Sequence, residues 1–301
     1  MLDISTAPHY NHAVMKIQED CRPCLIRQME STARITGLDE ISVQEVVREA
    51  EKKLGEIWDT QLSPPEISAP LYRMTGTMCQ SSDPWLPRKI QYTREALKLL
   101  PTVMSMVENA PDPFEAAVRI SIAGNVIDFG TGRSADSGID IDDAVRKYLD
   151  QEIFINDMRP LRQAGAAAGT ILFIGDNAGE TVLDRPLLSM LKKDRLVYAA
   201  RGGAIINDAT IQDAVLAGIG LHAEVVSTGT TIPGTIPGEC SREFQQLFLE
   251  ADLIISKGQG NFETLSELPR EGRIFMLFVI KCSLAARQIG GEVGDMVVMK
   301  W

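Results

Sequence analysis

Gly175-Asp-Asn-Ala-Gly-Glu180 sets a carboxylate beside an amide directly after the apolar run Ile171 to Ile174. Asp176 and Asn177 together offer two hard oxygen donors for a divalent cation such as Mg²⁺ or Mn²⁺. The same two residue types also favour an Asx turn that caps the next helix. The stretch alone leaves both readings open.

Comparable polar groups recur further along the chain. Arg201 to Thr210 contains Asn207 and Asp208, and Ser227-Thr-Gly229 is followed by Thr231-Ile-Pro-Gly234. Ser256-Lys257-Gly258-Gln-Gly260-Asn261 and Lys281-Cys282 complete the set. Each follows an apolar run, so each is expected at the end of a strand. A doubly wound sheet places such ends on one rim, where ligands bind. Asp176, Asn177 and Asp208 could then form an open oxygen-ligand site. Lys257, on a glycine-rich turn, is expected to clamp a phosphate with help from backbone N–H groups. Gly258 and Gly229 are expected on the substrate side of that rim. A metal and a lysine are the equipment of phosphoryl transfer, in which positioning and charge neutralisation do most of the work. No GxxxxGK[ST] loop occurs, and Gly258-Gln-Gly260 lacks the third glycine of a dinucleotide fingerprint.

The elements that must position these groups fall into two halves. From about residue 168, strand-like runs alternate with helical segments. The runs are Thr170 to Ile174, Arg195 to Ala200, Ala223 to Ser227, Leu253 to Ser256 and Ile274 to Val279. That alternation predicts parallel βαβ units in a Rossmann-like three-layer α/β/α core. The first half shows helical spacing instead. Helices are expected over Cys24 to Thr36, over Ile41 to Trp58 with Asp39 or Ser42 as N-cap, and within Glu66 to Met78 after a break at Pro64-Pro65. Another is expected from Asp83-Pro84-Trp85 to Leu100, ending near Pro101, and another begins at Pro113 and runs to Gly124. The α/β fold class thus comes with a helical N-terminal domain, 1–166, and a Rossmann-like metal- and phosphate-binding domain, 167–301. The site is expected at their junction.

Composition bounds the class. With 301 residues, 45% of them hydrophobic and 24% charged, the chain has the make-up of a soluble globular protein. It contains no apolar run of transmembrane length, and its start lacks the pattern of a secretory leader. A cytoplasmic location is therefore expected. A formal net charge of −11 argues against nucleic acid as a partner. Five widely spaced cysteines do not form a secreted disulfide framework. Cys21-Arg-Pro-Cys24 stands apart as a CxxC pair, to which Cys79 could add a third thiol. Metal binding, redox chemistry and plain packing all remain open for it.

Several of these segments carry a family resemblance. Gly175 to Glu180, Ile206-Asn-Asp-Ala-Thr210, Ser256 to Glu263 and Met276 to Cys282 resemble the damage-control phosphatase family, also catalogued as domain of unknown function 89 and labelled ARMT-like. Cys21-Arg-Pro-Cys24 and Asn125-Val-Ile-Asp128-Phe-Gly130 resemble its cysteine-bearing prokaryotic and archaeal branch. Asp83-Pro84-Trp85 is a mild variation on a family pattern. The resemblance implies a metal-dependent phosphatase acting on small phosphorylated metabolites, including sugar phosphates and damaged metabolites. It implies Asp176, Asn177 and Asp208 as metal ligands and Lys257 as the phosphate lysine. Asn125 and Asp128 become substrate-side groups, and Glu180 an acid that supports the ligands or acts as general base. The cofactor expected is a divalent cation (Mg²⁺, Mn²⁺, Co²⁺ or Ni²⁺). The partners expected are a small phosphorylated metabolite and further copies of the chain, with no membrane. Two other classes compete: a non-catalytic metal or metabolite binder, and a methyltransferase using S-adenosylmethionine. The second is disfavoured because the first loop is spent on Asp176 and Asn177 and Arg201 follows the second strand.

Overall fold

A computed structural model describes residues 15–124, 147–191 and 194–301. Five helices open the chain: α1 (Cys21–Ile35), α2 (Glu40–Ile57), α3 (Pro64–Met78), α4 (Leu86–Glu108) and α5 (Pro113–Gly124). Val43, Val46, Ala50 and Leu54 recur at three-to-four spacing along α2 and pack on Leu25, Met29 and Ala33 of α1 and on Ile67 and Leu71 of α3. Asp39 caps α2 by accepting the Ser42 backbone N–H at 2.8 Å, so Ser42 is the donor and not the cap.

The prolines act differently from expectation. Pro64 and Pro65 open α3, where their missing N–H groups cost nothing. Glu66 seals that end by accepting the Ser63 N–H at 2.7 Å and its hydroxyl at 2.6 Å. Helix α4 runs through Pro101 to Glu108 and does not end near it. Pro101 is exposed, while Ala96, Val103 and Val107 are buried on one face. The burial of that face offsets the roughly 3 kcal/mol that an interior proline costs.

Seven strands form one sheet: β1 (Ile153–Asn156), β2 (Thr170–Ile174), β3 (Arg195–Ala200), β4 (Glu224–Ser227), β5 (Leu253–Lys257), β6 (Ile274–Val279) and β7 (Met296–Lys300). Their order is β1-β7-β6-β5-β2-β3-β4. Strands β2 to β6 are mutually parallel, whereas β7 runs antiparallel to β6 and β1 follows β7. The five expected strands match β2 to β6, and the outer pair β1 and β7 was not expected. Side chains alternate between two cores. Ile171 and Phe173 face a core shared with Val103, Val107, Ile120 and Ile122 of α4 and α5. Leu172 and Ile174 face a core closed by α10 (Arg242–Glu250), α11 (Gln259–Leu265) and α12 (Ser283–Ile289). Between β1 and β2 lies α6 (Met158–Ala167), and between β2 and β3 lie the short α7 (Glu180–Leu183) and α8 (Arg185–Met190). Helix α9 (Ile211–Leu216) precedes β4.

The result is an α/β fold of three layers, but its layers reach back before residue 167. Strand β1 pairs with β7, and α4 and α5 cover one face of the sheet. The apolar faces of α4 and α5 find their partner in the sheet, across the expected boundary at 166/167. Among the described residues no helix is long and apolar enough to cross a membrane.

Candidate functional site at the switch point of the sheet

From β2 the chain moves to β3 on one side and later returns to β5 on the other. The carboxyl ends of β2 and β5 therefore flank the crevice where open α/β sheets bind ligands. Asp176 stands two residues beyond β2, and Gly258 follows β5 directly. Gly258 has φ +83°, and a Cβ there would lie 1.9 Å from Asp176 Oδ2. Only glycine lets the β5 turn adopt that conformation and pass so close to the carboxylate.

The segments after β2 and β3 zip together. Ala209 N–H donates to Asp176 O at 2.7 Å, and Ala178 N–H donates to Asn207 O at 2.8 Å. These bonds create an antiparallel bridge between Asn177 and Asp208. Residues some thirty positions apart in sequence thus share one site: Asp176, Asn177 and Asp208. The Asn177 amide donates to Asp176 Oδ2 at 2.9 Å and to Glu180 Oε2 at 3.0 Å. With both N–H groups given to carboxylates, its carbonyl oxygen is what remains to meet a cation.

Arg201 fixes Asp208. Its Nε donates to Asp208 Oδ2 at 2.7 Å. The rest of the guanidinium donates to Gly234 O at 2.8 Å, Thr235 Oγ1 at 3.1 Å and Asn261 Oδ1 at 3.0 Å. Arg201 is buried at 2% exposure, and this fork satisfies its charge in place. Asn261 in turn donates to Lys257 O at 2.7 Å, which ties the β3 and β5 ends together.

Lys257, expected to clamp a phosphate, is enclosed by the fold. It is fully buried, and its ammonium donates to Ser121 O at 2.6 Å, Glu180 Oε1 at 2.5 Å and Asp184 Oδ1 at 2.8 Å. Three protons meet three acceptors, so none is left for a substrate phosphate. Burial acts to lower the Lys257 pKa, but Asp184 and Glu180 outweigh it and hold the ammonium above its ordinary value. Asp184 also accepts from Ser121 Oγ at 2.6 Å and from the Tyr198 hydroxyl at 2.9 Å. Lys257 is the keystone beneath Glu180, and Glu180 orients Asn177.

Lys281 stands just beyond the end of β6. It is exposed, and its backbone N–H donates to Gln259 Oε1 at 2.7 Å. Its charge opposes the rise that burial imposes on the Asp176 and Asp208 carboxyls. The sequence marked Lys281 as a strand end without giving it a role, and Arg201 and Asn261 were likewise passed over. An apolar strand preceding each of them was the available signal.

The electrostatics are uneven. Burial, then the charges of Glu180 and Asp208, push the Asp176 carboxyl up to about 8. Burial also raises Asp208, against the opposing pull of Arg201. A carboxylate raised by burial, beside a second carboxylate and an amide oxygen, fits a hard divalent cation. Gly229 has φ +77°, and a Cβ there would lie 2.6 Å from Ser241 Cβ. That packing accounts for the glycine, which follows β4, a strand two places away from β2. Asn125 and Asp128 lie outside the described residues. Helix α5 nonetheless ends at Gly124 against Glu180, where an added Cβ would lie 3.0 Å from Glu180 Cγ.

An acid–amide cluster at the switch point of a Rossmann-like sheet, roofed by N-terminal helices, defines a class of α/β proteins whose ligands bind beyond the strand ends. Comparison with known proteins narrows the class. The Damage-control phosphatase ARMT1-like domain matches residues 17–297, and the chain belongs to that family. A damage-control phosphatase of Pyrococcus horikoshii is 34% identical over 289 residues, 95% of this chain and 98% of that protein. Another from Archaeoglobus fulgidus is 32% identical over 94% of this chain and 98% of its own length. A crystal structure of a DUF89 family protein from Pyrococcus horikoshii matches with a TM-score of 0.84 and 32% identity, covering 95% of this chain and 99% of that chain. The names of these relatives support a phosphatase role in the family.

Proposed function

We propose that this chain is a metal-dependent phosphatase that hydrolyses phosphomonoesters of small metabolites. The observation that carries the reading is the convergence of Asp176, Asn177 and Asp208 beyond the ends of β2 and β3. Asp176, Asn177 and Asp208 would hold a divalent cation, which when bound polarises a phosphate oxygen and acidifies an attacking water. Arg201 holds Asp208 by one oxygen and leaves the other for the ligand role. Glu180, anchored by Lys257, keeps the Asn177 amide turned so that its carbonyl is the donor. Lys281 takes the phosphate-side role first expected of Lys257: an exposed ammonium whose charge already reaches the acid cluster. Asn125 and Asp128 are assigned to the substrate side on the family resemblance.

The test is turnover on a panel of sugar phosphates and related phosphometabolites with Mg²⁺, Mn²⁺, Co²⁺ or Ni²⁺, for the chain and for its Asp176→Ala variant. Metal-dependent release of phosphate that vanishes in the variant is expected. Turnover that survives Asp176→Ala defeats the reading. Binding of metal and phosphometabolite without turnover would make the chain a binding protein instead.

A further inference from the structure

The loop that carries Asp208 is bent in a way its residues do not favour. Asp208 N–H donates to Ile205 O at 3.0 Å, closing a turn with Ile206 and Asn207 at its centre. Ile206 has φ +43°, and among the described residues only Gln80 shares a positive φ without being glycine. A positive φ at the first central position of a turn ordinarily belongs to glycine, and a β-branched residue there is strained. The strain has an anchor. Ile205 is buried and Ile206 half-buried in the core of α1, α2 and α3. They are the only described residues after Cys79 that enter that core. The far end of the loop is held as well. Asp213 Oδ2 accepts the Thr210 N–H at 2.9 Å and its hydroxyl at 2.7 Å. The fully buried Lys89 of α4 donates to that same oxygen at 2.8 Å and pairs with Asp83 at 2.7 Å.

We propose that Ile206 is a positioning residue for the acid cluster: the α1–α3 core holds it at positive φ, and the resulting turn presents Asp208 opposite Asn177. Ile206 immediately precedes Asn207, whose carbonyl accepts the Ala178 N–H at 2.8 Å. Ala209 N–H donates to Asp176 O at 2.7 Å on the other side of Asp208. Those two bonds flank the Asn177–Asp208 bridge, so the shape of the turn sets where the second carboxylate stands. Glycine would satisfy the φ requirement alone, but it would leave the turn with no side chain in the helical core. Isoleucine supplies that grip and accepts the strain, as backbone outliers do where surrounding packing over-determines them. Lys89 and Asp213 fix Thr210, so the turn cannot relax by sliding its far end. The N-terminal helices thus support the site from both ends of one loop. The consequence for metal binding rests on the function proposed above, whereas the placement of the loop does not.

The experiment compares the full chain with Ile206→Gly and Ile206→Val by amide hydrogen exchange and melting without metal, and by calorimetric titration with Mn²⁺. Glycine takes the positive φ freely but removes the anchor. Valine keeps the β-branch and most of the apolar contact. In Ile206→Gly the Ala178 and Ala209 amides should exchange on the order of 10-fold faster, while the β2 amides keep the parent rate. Mn²⁺ affinity should weaken by roughly 10-fold or more in the same variant. Ile206→Val should bring both readouts back toward the parent values. Unchanged exchange at Ala178 and Ala209 in Ile206→Gly overturns the proposal, and so does a Mn²⁺ affinity equal to the parent's. Faster exchange throughout the sheet with a lowered melting temperature would make Ile206 an ordinary core residue, and overturns it as well. A parent chain that binds no Mn²⁺ defeats the metal reading instead. The metal-free exchange rates then still decide whether Ile206 positions the loop.

Discussion

Two buried charge clusters sit at the ends of neighbouring strands, and they are built to opposite rules. Around Lys257, every ammonium proton has an acceptor, and Asp184 is further held by Ser121 and Tyr198. Around Asp176, two carboxylates come together with an amide, and burial raises both carboxyls against the opposing charges of Arg201 and Lys281. The first cluster is balanced within the fold, whereas in the second burial and like charge outweigh the cations. Balance marks architecture, and a pair of raised acids marks a candidate for function.

The contrast can be broken most forcefully at Lys257. Lys257→Met leaves Glu180 and Asp184 buried without their partner, and a loss on the order of 3–5 kcal/mol is expected in urea unfolding. Adding Glu180→Gln and Asp184→Asn should recover much of that loss. A Lys257→Met protein of unchanged stability, with only a raised KM, would restore the phosphate-clamp role and sink the keystone assignment.

At the Asp176 cluster the order of effects reverses. Asp176→Asn should lower metal-dependent turnover by more than the ~10–100-fold that outer partners of metal ligands command. The deletion relieves repulsion, so stability should hold or rise. Unfolding curves alongside phosphate release will show whether activity and stability part company in this way.

Arg201→Lys probes the link between the clusters and the outer support of the site. The ammonium keeps the charge but loses the fork to Gly234, Thr235 and Asn261. Metal affinity, read by calorimetry with Mn²⁺, should weaken by roughly 10-fold or more. Equal affinity would mean that Asp208 needs no guidance from Arg201.

The mildest perturbation is pH. Asp176 in the folded chain titrates near 8, against an ordinary 3.8. A raised carboxyl contributes stability that is complete below the ordinary value and lost as pH rises through about 8. The metal-free protein should therefore lose stability from this group between about pH 4 and pH 8. Saturating Mn²⁺ should cancel the loss by taking the ionised form. Superimposable melting profiles with and without metal across that range would contradict the assignment.

Much of the fold could be read along the chain. The β2 to β6 strands declare themselves as apolar runs ended by glycine or polar residues, because buried parallel strands need nonpolar side chains on both faces. Strand β1, with only four residues alternating buried and exposed, and β7, five residues at the end of the chain, carry too little of that signal. Pro101 misled because a proline on an exposed face is tolerated once the opposite face of its helix is buried.

The sequence by itself determined that Asp176, Asn177, Asp208 and Lys281 follow apolar strand-like runs. Local residue types and spacing suffice for that. Only the tertiary structure decided that Lys257 is buried and Lys281 exposed. It also decided that Asn177 would bridge Asp208. The physical reason is that burial and charge compensation are set by partners far away in the chain: Ser121 and Asp184 for Lys257, Arg201 for Asp208. A short segment cannot announce whether its charge will be answered.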